Sequence, residues 1–163
     1  MSIERVKKYF ESVGADTGNI IEFGAPSATV ALAAKAAGVE EARIAKTISL
    51  HHGNGAMVIV TAGDEKIDNH KFKECFHEKA RMLSPDEVVE MTGYRIGGVC
   101  PFDLPEGVET YLDVSLRRFE TVFPAAGDDD NGVRCTCEFL EKYSSNFSGW
   151  IDVCKSRTEA VNQ

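Results

Sequence analysis

Two stretches of this sequence carry residues whose types and spacing suit chemistry. The first is "ARIAKTISLHH", residues 42 to 52, which reads as a β-strand. Alternate side chains of a strand share a face. Ile44, Lys46, Ile48 and Leu50 therefore point one way, and Ala45, Thr47, Ser49 and His51 the other. The row of large aliphatics belongs in the core, yet it holds an ammonium group. Either the strand runs near an edge and Lys46 snorkels along its stem to water, or the strand lines a cleft and the ammonium meets an anionic ligand or a developing oxyanion. Periodicity leaves both open. The second stretch is "TGYRIGGVCPFDLP", residues 92 to 105. Gly97 and Gly98 let the backbone approach a ligand closely, and Pro101 stiffens the exit. The N–H groups of Gly98, Val99 and Cys100 could converge on one point, as oxyanion-binding loops do. A tight turn between a helix and a strand accounts for the same residues.

Cys100 invites a reading as a nucleophile. None of the four histidines (His51, His52, His70, His77) lies near it in sequence, and a small residue in a glycine-rich bend is the simpler account. Cys135-x-Cys137 would share one strand face and, with Cys154, offers three thiolates without a clear fourth zinc ligand. The sequence predicts no metal and no cofactor. His51 and His52 fall at a strand end beside a turn, where solvation is expected.

The elements that must position these groups alternate along the chain. Ser2 can cap a helix whose stripe is Ile3, Val6, Tyr9, Phe10 and Val13, stopped by Gly14. "NIIEF" is a short strand, and "SATVALAAKAAGV" is an alanine-rich helix with Ser27 near its start and Gly38 as its stop. The lysine strand follows, then the turn "HGNG" and the return arm "AMVIVTA", which together make a hairpin. "DNHKFKECF" reads as a helix. "SPDEVVEMTG" is a clearer one, with Ser84 as cap, Pro85 in the first turn, Glu87 closing a capping box and Gly93 as the stop. "ETYLDVSL", "ETVFPA" and "GVRCTCEFL" supply strand-like segments. A short helix and "WIDVC" finish the fold, and "KSRTEAVNQ" reads as a tail. Mixed elements with hairpins predict a mixed sheet.

The whole chain sets bounds on function. Its 163 residues suit one domain. No run of about 18 apolar residues appears, so no membrane span is expected. The first residues are amphipathic and charged, without the apolar centre of a signal peptide. Five cysteines, an odd number, fit a reducing compartment, so a cytoplasmic location is expected. A net charge of −8 argues against general nucleic-acid affinity and against DNA. Contact with an RNA would have to be local, or assisted by a partner protein.

In order and spacing, "SATVALAAKAAGVEEARIAKTISL", "MVIVTAGDEKIDNHKF", "ARMLSPDEVVEMTGYRIGGVCP" and "TYLDVSLRRFETVFPAAG" resemble the YbaK/prolyl-tRNA synthetase-associated domain family, from about residue 20 to 140. The resemblance implies an α/β fold with a mixed, barrel-like sheet flanked by helices, in a single domain over residues 1–155 with a tail at 156–163. It implies a trans-editing deacylase that hydrolyses the ester of a small amino acid wrongly charged on a tRNA, including tRNA of proline identity. The family's essential lysine falls on Lys46, and its Gly-x-x-x-Pro loop on Gly97, Gly98, Val99, Cys100 and Pro101. Thr29, Thr47, Val99 and Cys100 would wall the amino-acid pocket. The substrate's ribose hydroxyl or a backbone carbonyl would help orient the water. The implied partners are the acceptor end of an aminoacyl-tRNA and an aminoacyl-tRNA synthetase, and a monomer is expected.

Two features depart from the family pattern. The loop carries Cys100 where members acting on cysteinyl or alanyl esters often have serine or histidine. The late segment reads "PAAG", with Ala125 and Ala126, and is followed by Asp128, Asp129 and Asp130 where basic residues are usual. An acidic run facing the site would repel an acceptor stem. A non-catalytic binding module on the same fold, and a thiol enzyme built on Cys100, are therefore the competing readings.

Overall fold

The computed structural model describes residues 2–24 and 29–156. Helix α1 (Ser2–Val13) leads to the short strand β1 (Ile20–Glu22), helix α2 (Val30–Ala37) and the long hairpin of β2 (Ile44–His52) and β3 (Gly55–Ala62). After β4 (Glu65–Ile67) come α3 (Asn69–Phe76) and α4 (Pro85–Thr92), then β5 (Glu109–Asp113), β6 (Phe123–Pro124) and β7 (Asn131–Val133). Helix α5 (Cys137–Tyr143), β8 (Phe147–Ile151) and β9 (Cys154–Ser156) complete the chain. The main sheet runs β6-β2-β3-β5-β8, with β2 and β3 antiparallel and the other three pairings parallel. It curls as a half barrel. The pairs β1-β7 and β4-β9 form two small antiparallel sheets. No helix among the described residues is long and apolar enough to cross a membrane.

Several elements follow from local chemistry. Ser84 and Glu87 form the expected reciprocal capping box at α4, and Gly93 ends that helix in the left-handed region at φ 80°. Gly38 does the same for α2 at φ 72°. The cap of α2 is Thr29, whose Oγ1 accepts the Leu32 N–H at 3.2 Å. Ser27 lies outside the described residues, as does the side chain of Ser2.

Other expectations are corrected. Cys137, read as sharing a strand face with Cys135, is the first residue of α5, because Thr136 caps a helix there by accepting the Phe139 N–H at 3.1 Å. "WIDVC" is split between β8 and β9, and Lys155 and Ser156, read as tail, pair with Lys66 and Glu65. The strand expected over 109–116 stops at Asp113 and turns into a 3-10 helix at Val114–Arg118.

The hairpin is buried on both faces, which the alternation in β2 did not reveal. Ala45, Val58, Val60 and Ala62 join the main core with Val6, Phe10, Phe102 and Leu140. Leu50, Met57 and Ile59 face a second core under Phe72 of α3. Ile44 packs with Ala34 and Phe123 under α2. Lys46 stands in the second row, directly opposite the fully buried Thr61.

Asp113 closes β5 with a buried carboxylate. Its Oδ1 accepts the Val153 N–H and its Oδ2 the Ser115 N–H, both at 2.9 Å. Asp113→Ala leaves these donors without partners at about 1–3 kcal/mol each. The denaturation midpoint should fall accordingly, and a midpoint equal to wild type would show that the carboxylate does not hold this corner.

Candidate functional site

A cavity of about 340 Å³ opens along the edge of β2. β6 pairs with β2 only at Ile44 and Ala45. Further along, residues 81–83 are strapped on: His51 N–H donates to the Arg81 carbonyl at 2.8 Å, and Leu83 N–H to the Ser49 carbonyl at 3.1 Å. Between these two attachments, Lys46, Thr47 and Ile48 face the cavity. Thr29, Val30 and Ala33 of α2 wall one side. Met82, Leu83 and Val88 wall another, while Ile96, Gly97 and Val99 bring in the glycine loop. Phe123, Pro124, Ala125, Asn131 and Gly132 close the remainder with Phe23.

Among the described lining residues Lys46 alone is charged, and the walls are mostly apolar. Its Nζ donates to the Glu65 carbonyl at the start of β4. The ammonium therefore does not simply snorkel to bulk water; it lines a cavity and is held by the backbone. Thr47 adds a buried Oγ1 with no hydrogen-bond partner among the described residues. Such a group costs about 1–3 kcal/mol unless water or a ligand satisfies it.

The structure brings together Lys46, Thr47, Thr29, Gly97 and Val99 around the cavity, with the Thr29 hydroxyl already engaged as the α2 cap. Gly98, Cys100 and Pro101 are buried behind it. Of the three N–H groups expected to converge, that of Gly98 is spent in a turn to the Arg95 carbonyl at 2.9 Å. Gly98 is instead small because of a close approach. A Cβ there would stand 2.7 Å from Gly127 C and 2.9 Å from Asp128 Cα. The acidic stretch thus abuts the glycine loop through its backbone, with Asp128 half-buried and Asp129 and Asp130 exposed. Asn131, which is 2% exposed, shapes that stretch by accepting the Ala126 N–H at 3.0 Å.

The ends of the glycine loop are tied to α1. Arg5 donates to the Gly93 carbonyl at 3.0 Å and to Asp103 Oδ2 at 2.7 Å, so one guanidinium spans the segment from 93 to 103. The Tyr94 hydroxyl adds a bond to the Phe102 carbonyl at 2.5 Å. Neither Asn131 nor Arg5 was singled out from sequence, since their partners lie across turns or about ninety residues away and no motif marks them. His51 and His52, expected to be solvated, are half-buried. Each has a ring nitrogen 3.4 Å from a carboxylate, of Glu87 and Glu109 respectively.

Cys100 is fully buried, with Sγ 3.9 Å from the Phe102 carbonyl, and burial pushes its thiol up to about 11. The thiolate is the nucleophilic form, so this thiol is inert at neutral pH. Because its folded pKa lies above the ordinary thiol value of 9.0, its contribution to stability is complete below that value and is lost as pH rises through 11. Iodoacetamide at pH 8 should label the exposed Cys75 and leave Cys100 unmodified in the native protein. Equal labelling of the two, read by peptide mass spectrometry, would place Cys100 on an accessible face.

The family described as the aminoacyl-tRNA editing domain matches residues 25–143. An uncharacterized protein of Bacillus subtilis, YwhH, is 48% identical over 156 residues, covering 95% of this chain and 98% of its own. EbsC of Enterococcus faecalis, named as a proposed Cys-tRNA(Pro)/Cys-tRNA(Cys) deacylase, is 29% identical over 96 residues, 58% of each chain. A crystal structure of a proposed trans-editing enzyme for prolyl-tRNA synthetase superimposes with a TM-score of 0.85 at 28% identity, covering 95% of this chain and 98% of that one.

Proposed function

The chain belongs to the aminoacyl-tRNA editing domain family, and we propose that it hydrolyses in trans the ester bond of a tRNA charged with the wrong small amino acid. The observation that carries this reading is Lys46, the one charged side chain among the described residues of a mostly apolar cavity, beside a backbone loop at the edge of β2.

Ester hydrolysis needs a held carbonyl, a water, and donors aimed at the oxyanion. In this reading the terminal aminoacyl-adenosine enters the cavity, and Lys46 holds its ester or terminal phosphate oxygens. The Val99 N–H, at the cavity wall, meets the oxyanion. Water oxygen bonds to the ester carbon, the bond to the ribose oxygen breaks, and one proton of the water passes to that leaving oxygen, which departs as the ribose hydroxyl. A neighbouring ribose hydroxyl or a backbone carbonyl orients the water, so no protein side chain has to act as general base.

The apolar walls and modest volume suit a small side chain, selected by exclusion of larger ones. Discrimination between side chains that differ by one methylene stays at about 1–3 kcal/mol. The names of EbsC and of the superimposed structure turn attention to tRNA of proline identity. A second reading, a binding module without turnover, draws on the acidic 128–130 stretch beside the glycine loop, which disfavours a polyanion there.

The test is release of amino acid from a panel of aminoacyl-tRNAs carrying Ala, Ser, Cys, Thr and Pro, on cognate and proline tRNAs. Wild type should clear one or a few esters, and Lys46→Ala should lose about 10²-fold or more of that rate. A Lys46→Ala rate equal to wild type would remove the lysine from the chemistry. No release from any ester by folded wild-type protein would favour the binding module.

A further inference from the structure

Lys46 is held from outside the cavity. Its Nζ donates to the carbonyl of Glu65, one residue beyond the Gly63–Asp64 turn that joins β3 to β4. That turn fits tightly. Gly63 N–H reaches the Ala42 carbonyl at 3.3 Å, and a Cβ on Gly63 would stand 2.8 Å from Val30 Cγ1. Asp64 meets Arg118 through two parallel bonds, Nη2 to Oδ1 at 2.6 Å and Nη1 to Oδ2 at 3.1 Å.

The guanidinium is itself fixed. Its Nε donates to the Ser115 carbonyl at 2.9 Å, and the Ser115 hydroxyl accepts the N–H of Ala62, the last residue of β3, at 3.1 Å. A planar fork of this kind sets orientation as well as distance. Half-exposed ion pairs contribute little to stability, so the main consequence of this one is where the turn, and the carbonyl after it, comes to rest. The Asp64 carboxyl lies below its usual range, first through the hydrogen bond from Arg118 and in smaller part through the charge of Lys46.

We propose that Arg118 and Asp64 are positioning residues for Lys46: their ion pair fixes the β3–β4 turn, and with it the Glu65 carbonyl that holds the ammonium at the cavity. The proposal rests on the deacylase reading only for its kinetic consequence. The holding of Lys46 stands independently of turnover.

The experiment uses full-length protein labelled with 15Nζ-lysine, the Lys46 ammonium signal being assigned by its absence in Lys46→Ala. Arg118→Ala and Asp64→Asn should both shift or broaden that signal. Both should also lower kcat about tenfold or more with KM changed less than twofold, as misplacement of a reacting group does. Arg118→Lys, which keeps the charge without the fork, should recover part of kcat. A Lys46 signal identical to wild type in folded Arg118→Ala and Asp64→Asn overturns the proposal, whatever the rates. If Arg118→Ala does not fold, the nearly isosteric Asp64→Asn decides alone. If wild type hydrolyses no ester, the function reading fails and the lysine signal still decides the positioning.

Discussion

An ammonium group beside a hydrophobic core must be hydrogen-bonded, because an unpaired buried charge is costly, and the surroundings of Lys46 are organised around that requirement. The hairpin is covered on both faces, so a lysine in its second row has nowhere to go except along the strand edge. There β6 leaves β2 after Ala45, and the 81–83 strap does not arrive until Ser49. The gap is the cavity, and the ammonium reaches the Glu65 carbonyl beside it. Sheet topology thus produces an apolar recess with one positive charge, the setting in which a single charge has the largest electrostatic effect.

The glycine loop illustrates a different constraint. Its ends are tied together by Arg5 and Tyr94, and its middle presses against the backbone of Gly127 and Asp128. Gly98 serves that contact, while Gly97, at φ 94°, lets the chain turn into the cavity wall. The loop is therefore shaped from behind by two separate segments of the chain, α1 through Arg5 and residues 127–128. At the cavity mouth Met82 and Ile96 are well exposed and apolar.

Much of this was legible in the sequence where the governing chemistry is local. The capping box of α4, the glycine stops of α2 and α4 and the β2–β3 hairpin are signals within four or five residues. The odd lysine in an aliphatic row was visible for the same reason; of the loop and pocket residues named through the family resemblance, Thr29, Thr47, Gly97 and Val99 line the cavity, while Gly98, Cys100 and Pro101 do not. What failed to show depends on distant contacts. The three-residue strand β4 exists because β9 pairs with it, and "EKI" carries no strand pattern of its own. Cys135 and Cys137 alternate like a strand, but Thr136 offered a better helix cap. The recess behind Gly98, the span of Arg5 and the Asp64–Arg118 pair, 54 residues apart, are tertiary facts that no periodicity encodes.

The central claim is that the β2-edge cavity receives the aminoacylated end of a tRNA. Its most direct measurement is an amide NMR titration with adenosine carrying alanine or serine through a non-hydrolysable amide at its 3′ position. Saturable shifts centred on Lys46, Thr47, Gly97 and Val99 are the predicted result. Spectra unchanged at those residues at saturating analogue, or shifts confined to another face, would contradict the claim.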